Sequence, residues 1–146
     1  MSHIVPLRSE SDDPLSRMAA YRLARELLKE CWPDCEKTKH DAATIKLSGQ
    51  LYAAVGSIAA NLAEGYSRSS GKDRARIFEY ALGSVRESMT WYYAAEPVLG
   101  NNIVNERLDK LEQIQKAAPR HYSPRASPFG ETGCNPVRFD LARCSH

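Results

Sequence analysis

No apolar run in this sequence approaches the roughly 20 residues that a membrane-spanning helix needs, so membrane insertion is not expected. The opening MSHIVPLRSESDDP also lacks the apolar stretch of a signal peptide, and the expected compartment is the cytoplasm. Charge of neither sign dominates. Arg120, Arg125, Arg138 and Arg143 lie beyond residue 118 against one Glu and one Asp, so the 20 basic and 18 acidic residues of the chain reduce to 16 of each over 1–118. A nucleic-acid footprint cannot be read from that balance and would have to be local. Cysteines number only four, Cys31, Cys35, Cys134 and Cys144. Without a secretory context they read as reduced thiols rather than a disulfide framework. A zinc site at Cys31 and Cys35 would need two more ligands, and only His40 is close in sequence.

Histidine is as sparse. His3, His40, His121 and His146 all fall in expected ends or loops, and no Glu-x-x-His pair of a di-iron bundle occurs. A helical ribonuclease built on Arg, a short spacer and His lacks its motif as well. No strand-like alternation precedes a glycine-rich loop, and EGYSRSSGK does not fit the Walker spacing. No cofactor or metal is expected.

What the chain does contain is helical periodicity, four times over. Asp13 can cap and Pro14 suits a first helical position, followed by Leu15, Met18, Ala24, Leu27, Leu28 and Cys31 on one face, with Pro33 expected to end the segment. A second helix over about 42–64 carries Leu51, Val55, Ile58 and Leu62, and Gly65 reads as the residue just past its C-terminus. Ser70 and Asp73 form a candidate capping box for a third, striped by Phe78, Leu82, Val85, Met89 and Tyr92 and stopping near Pro97 and Gly100. The fourth begins at Asn102 or Asn105, points Leu108, Leu111 and Ile114 inward, and precedes Pro119.

Short links between long amphipathic helices favour antiparallel neighbours, which gives an all-α fold, an antiparallel up-and-down four-helix bundle. The expected organisation is an N-terminal extension over 1–13, the bundle over 14–118 and a mobile, disordered C-terminal tail over 119–146, rich in Pro, Ser, Gly and Arg. Val137, Phe139 and Leu141 are the alternative within that tail, a peptide that folds on a partner.

The stretches SIAANLAEGYSR and FEYALGSVRES resemble the family of four-helix bundles encoded within intervening sequences of bacterial 23S ribosomal RNA genes, which also contains accessory proteins of diversity-generating retroelements. The resemblance rests on Gln50, Ala54, Ser57, Ile58, Asn61, Leu62, Ala63, Glu64, Gly65, Leu82, Gly83, Ser84 and Glu87, and covers about residues 14–118. It implies a ring-like homopentamer and no enzymatic activity, with nucleic-acid binding associated with the retroelement branch. That branch is markedly basic, whereas 1–118 here is neutral.

Ser57, Asn61 and Glu64 sit at i, i+4 and i+7 and share a helix face. With a turn at about 66–69, Asn61 should fall opposite Arg74, and Gln50 or Ser48 opposite Ser84 to Glu87. Gln50, Ser57, Asn61, Glu64, Ser84 and Glu87 then read as a structural polar set, since buried polar groups occur as satisfied pairs. Paired carboxylates are what acid and base chemistry needs, which makes Glu64 or Glu87 the alternative for an enzyme. The small residues Gly49, Ala53, Ala54, Gly56, Ala59, Ala60 and Ala63 are expected to let neighbouring helices approach closely. Tyr80, Trp91 and Tyr93 lie off the core stripe and read as a contact surface.

One local basic cluster remains. Arg68, Lys72, Arg74 and Arg76, beside Tyr66, gather near a helix N-terminus, where unsatisfied amides favour anions. The competing reading is a solvated turn whose cations pair with Asp73 and Glu79. The sequence therefore points to a non-enzymatic homo-oligomeric adaptor or scaffold with RNA or DNA as the expected ligand and no membrane partner. The alternative is an interaction module that binds only protein.

Overall fold

The structure, a computed structural model, describes residues 13–119. Four helices, α1 Ala19–Thr38, α2 Ile45–Ser67, α3 Gly71–Leu99 and α4 Asn101–Ala117, follow one 3-10 turn, Pro14–Arg17, and no strand occurs among the described residues. Each helix packs on its neighbours in chain order and α1 closes the ring against α4, which is the expected up-and-down bundle. The extension before Asp13 and the tail beyond Pro119 lie outside the described residues.

The core is the sum of the four stripes. Leu51, Val55, Ile58 and Leu62 are completely buried, as are Leu27, Tyr92, Leu111 and Ile114. Leu82, Met89 and Leu108 pack at the core's edge instead of inside it. No helix is long and apolar enough to cross a membrane among the described residues.

Three helix boundaries differ from the sequence reading, each for a tertiary reason. Asp13 does cap, accepting from the Leu15 amide at 2.9 Å. It starts only the 3-10 turn, however: Met18 is extended and α1 begins at Ala19. Arg22 stabilises this break by donating to the Ser16 and Arg17 carbonyls at 3.3 and 2.9 Å.

Pro33 does not end α1, which continues to Thr38. A proline inside a helix forfeits one backbone hydrogen bond and costs about 3 kcal/mol. Here Pro33 is exposed, while Asp34, Cys35 and Thr38 beyond it continue the buried stripe, so burial of that last turn offsets the loss. Exposed Pro97 is passed in the same way, with Ala95 and Leu99 buried around it, and α3 ends at Gly100, whose φ of 83° suits glycine.

Gly65 is not past the end of α2 but buried within it. A Cβ there would stand 2.7 Å from two ring carbons of Phe78, so the residue lets α2 and α3 touch. Ser70 caps α3 as expected, accepting from the Asp73 amide at 3.4 Å.

Candidate functional site

The turn between α2 and α3 collects the four cations. Arg68 is the C-terminal cap of α2, and its guanidinium pairs with Glu64 one turn earlier. That hydrogen bond, and then the carboxylate's charge, raise the Arg68 pKa and hold the side chain protonated. Arg74 reaches back from the first turn of α3 and donates through Nε and a terminal nitrogen to the Arg68 carbonyl at 3.3 and 2.8 Å. It thus satisfies a carbonyl that the end of α2 would leave orphaned. Arg76 pairs with Asp73 at 3.3 Å. All four cations, Lys72 included, are exposed, so the cluster is a surface patch of which one member has a structural duty. Exposed ion pairs contribute little to stability.

The polar set is arranged differently from its expected register. Asn61 Nδ2 lies 3.5 Å from Ser84 Oγ, which itself donates to the Tyr80 carbonyl at 3.1 Å; Arg74 is not its partner. The first turns of α3 run past the end of α2 before the helices touch at Gly65 and Phe78, which slides every later pairing. Ser48 consequently faces α1, donating to the Cys35 carbonyl at 3.0 Å, and Gln50 is exposed, so neither lies opposite Ser84 to Glu87. Ser57 turns back on its own helix and donates to the Ala53 carbonyl at 2.8 Å.

Glu64 and Glu87 do not form a joint site. Each has a partner one turn away, Arg68 for Glu64 and the Trp91 indole N–H, at 3.3 Å, for Glu87. They lie three residues to either side of the Asn61–Ser84 contact, toward opposite ends of the helix pair, which separates them by about 9 Å along the axis.

The most buried polar constellation was not legible in advance. Asp34, only 2% exposed, accepts at Oδ2 from both the Tyr92 hydroxyl at 3.1 Å and Arg107 Nε at 2.8 Å. Arg107 also lies 3.3 Å from Glu30, which takes Lys110 Nζ at 2.5 Å. Burial works to lower the Arg107 pKa, but the hydrogen bond and charge of Asp34 outweigh it and the net direction is up. Burial pushes the Tyr92 hydroxyl up, so it remains a donor. With Pro33 expected to end α1, Asp34 falls outside the helix; the continued spacing Leu27, Cys31, Asp34, Thr38 is the signal that the helix runs on.

Cys31 and Cys35 are free buried thiols with sulfurs 3.6 Å apart. The hydrogen bond to Cys35, and then burial, raise the Cys31 pKa. His40 is exposed in the turn after α1, and no group of three or more metal-ligating side chains occurs among the described residues.

Outward surfaces sort the remaining expectations. Tyr80 and Tyr93 are 53% and 66% exposed, but Trp91 is half-buried against the core's edge. Of the small residues on α2, Ala54 and Ala59 face inward, whereas Gly49, Ala53 and Ala60 face out and brace no helix of the same bundle.

The family model described as 23S rRNA-intervening sequence protein matches residues 16–118. Comparison with curated proteins and with solved structures gives no match. The match begins in the 3-10 turn and ends one residue beyond α4, so it takes in the whole four-helix unit. On that coverage the chain belongs to the 23S rRNA-intervening sequence protein family.

Proposed function

We propose that this bundle is a non-catalytic homo-oligomeric scaffold that holds RNA or DNA at its α2–α3 turns. The observation that carries the reading is the exposed patch of Arg68, Lys72, Arg74 and Arg76 at one end of the bundle, off every core stripe. Three of these cations have local partners, but the ion pairs of Arg68 and Arg76 are solvent-exposed and exchange readily for phosphate oxygens. One patch is a weak site. Repeated around a ring, a pentamer in keeping with the family resemblance, it gains strength by multivalency without a basic net charge.

Assembly draws on a second surface. Gly49, Ala53 and Ala60 leave the outer ridge of α2 almost without side chains, and Tyr80 and Tyr93 stand exposed on α3. Aromatic residues of this kind are enriched at subunit interfaces. A cytoplasmic location accords with the free thiols of Cys31 and Cys35.

The test is electrophoretic or anisotropy binding to RNA and DNA at low salt, where electrostatic attraction is greatest. Arg68, Lys72 and Arg76 are changed together to Glu, and Arg74 is kept because it caps α2. Loss of binding with an intact oligomer supports the reading. The protein-only module, which the neutral charge over 1–118 favours, takes its place when neither the full chain nor a chain ending at Ala118 binds.

A further inference from the structure

Three of the four carboxylates of α1, Glu26, Glu30 and Asp34, recur every four residues and turn to α4, where Lys110 and Arg107 meet them, while Glu36 pairs with Lys39. Arg25 and Lys29 stand on the side toward α2. From 45 to 63, α2 supplies no carboxylate, and its single charged residue in that span is Lys46. The groove between α1 and α2 is lined by the cations Arg25 and Lys29 and by no carboxylate.

That groove holds about 290 Å³ and is lined by Arg25, Leu28, Lys29, Trp32 and Tyr52. Its volume is at the lower edge of small-ligand sites, enough for one flat ring system. The four α1 residues follow the i, i+3, i+4, i+7 spacing of one helix face. Trp32 and Tyr52 meet edge to face, with centroids 5.6 Å apart and planes at 76°. In such a pair each ring keeps a face open, and the two are 57% and 39% exposed. Leu28 forms the apolar floor, 3.8 Å from where a side chain on Gly56 would begin.

We propose that this α1–α2 groove is a stacking site for an unpaired base of a single-stranded nucleic acid. Trp32 and Tyr52 take the base, and exposed Lys29 takes a flanking phosphate. Open aromatic faces bordered by cations suit a single strand, because every base offers a π-face and every link a negative charge. A duplex hides its base faces in the stack and gains nothing from Trp32. The inference rests on the nucleic-acid reading above and adds strandedness to it.

The experiment titrates the full chain with short oligoadenylate, as RNA and as DNA, and with a blunt duplex, following anisotropy and tryptophan fluorescence at low salt. Single strands of either sugar should quench the fluorescence, and their relative affinities report any contact with the 2′-hydroxyl. Trp32→Ala should weaken single-strand binding about tenfold and remove the quench while leaving duplex binding unchanged. Trp32→Phe should keep most of the affinity, and exposed Lys29→Glu should weaken binding without touching the aromatic pair. Wild-type single-strand affinity in Trp32→Ala overturns the proposal and leaves the turn site standing. Equal losses in Trp32→Ala and Trp32→Phe, or a fall in oligomer mass in Trp32→Ala, overturn it too, the second by making the groove a subunit contact. A full chain that binds no nucleic acid overturns both readings.

Discussion

Gly65 of α2 packs directly against Phe78 of α3: a Cβ on the glycine would lie 2.7 Å from the ring. Alanine is ordinarily the better helix former by about 1 kcal/mol. At this position the clash should win, because inserting a carbon into a packed contact costs about 1–3 kcal/mol. Gly65→Ala should lower the melting temperature. Gly49→Ala and Gly83→Ala, where a Cβ meets nothing within 4 Å, should raise it slightly.

Asp34, Tyr92 and Arg107 tie α1, α3 and α4 together at one carboxylate oxygen. Arg107→Met leaves that carboxylate buried and without its cation, and should cost about 3–5 kcal/mol in urea unfolding. Tyr92→Phe removes one hydrogen bond from the same oxygen and should cost about 1 kcal/mol. Equal, small effects of the two changes would show that the network bears little on stability.

Pro33 is tolerated and not required. Its ring is exposed and the helix continues through it, so Pro33→Ala should restore a backbone hydrogen bond and stabilise the fold by up to about 3 kcal/mol. A loss of stability would mean that Pro33 helps to position the turn carrying Asp34, Cys35 and Thr38.

Ala60 faces outward on α2, so enlarging it has different consequences for the subunit and the assembly. Ala60→Leu should leave the unfolding free energy of the dilute subunit within about 0.5 kcal/mol of the wild type. The larger side chain should change the assembly equilibrium measured by sedimentation. A large loss of subunit stability would place Ala60 against a helix of its own bundle.

Local features of the fold are legible in the sequence, and long-range ones are not. Leu51, Val55, Ile58 and Leu62 were legible because a helix repeats every 3.6 residues whatever surrounds it. Pro33 and Gly65 misled because each is a helix-ending signal overridden by packing: burial beyond Pro33, and the Phe78 ring against Gly65. The Asn61–Ser84 pairing depended on how far α3 runs past α2 at the turn, which no single residue encodes. Asp34 meets partners 58 and 73 positions away, a relationship that no local window contains. Within the candidate site, Arg68, Lys72, Arg74 and Arg76 were legible as a cluster. The capping duty of Arg74 was not, because it depends on the Arg68 carbonyl being left free where α2 ends.

Light scattering on the eluting full chain, alone and with RNA or DNA at low salt, tests the proposed scaffold most directly. The expected mass is near five times the 16.3 kDa chain, retained when Arg68, Lys72 and Arg76 become Glu, with nucleic acid joining the peak for the wild type alone. Added salt should strip the nucleic acid steeply as counterions return to the phosphates, and leave the protein assembly in place. A concentration-independent mass of one chain, with no nucleic acid in the peak, would contradict it.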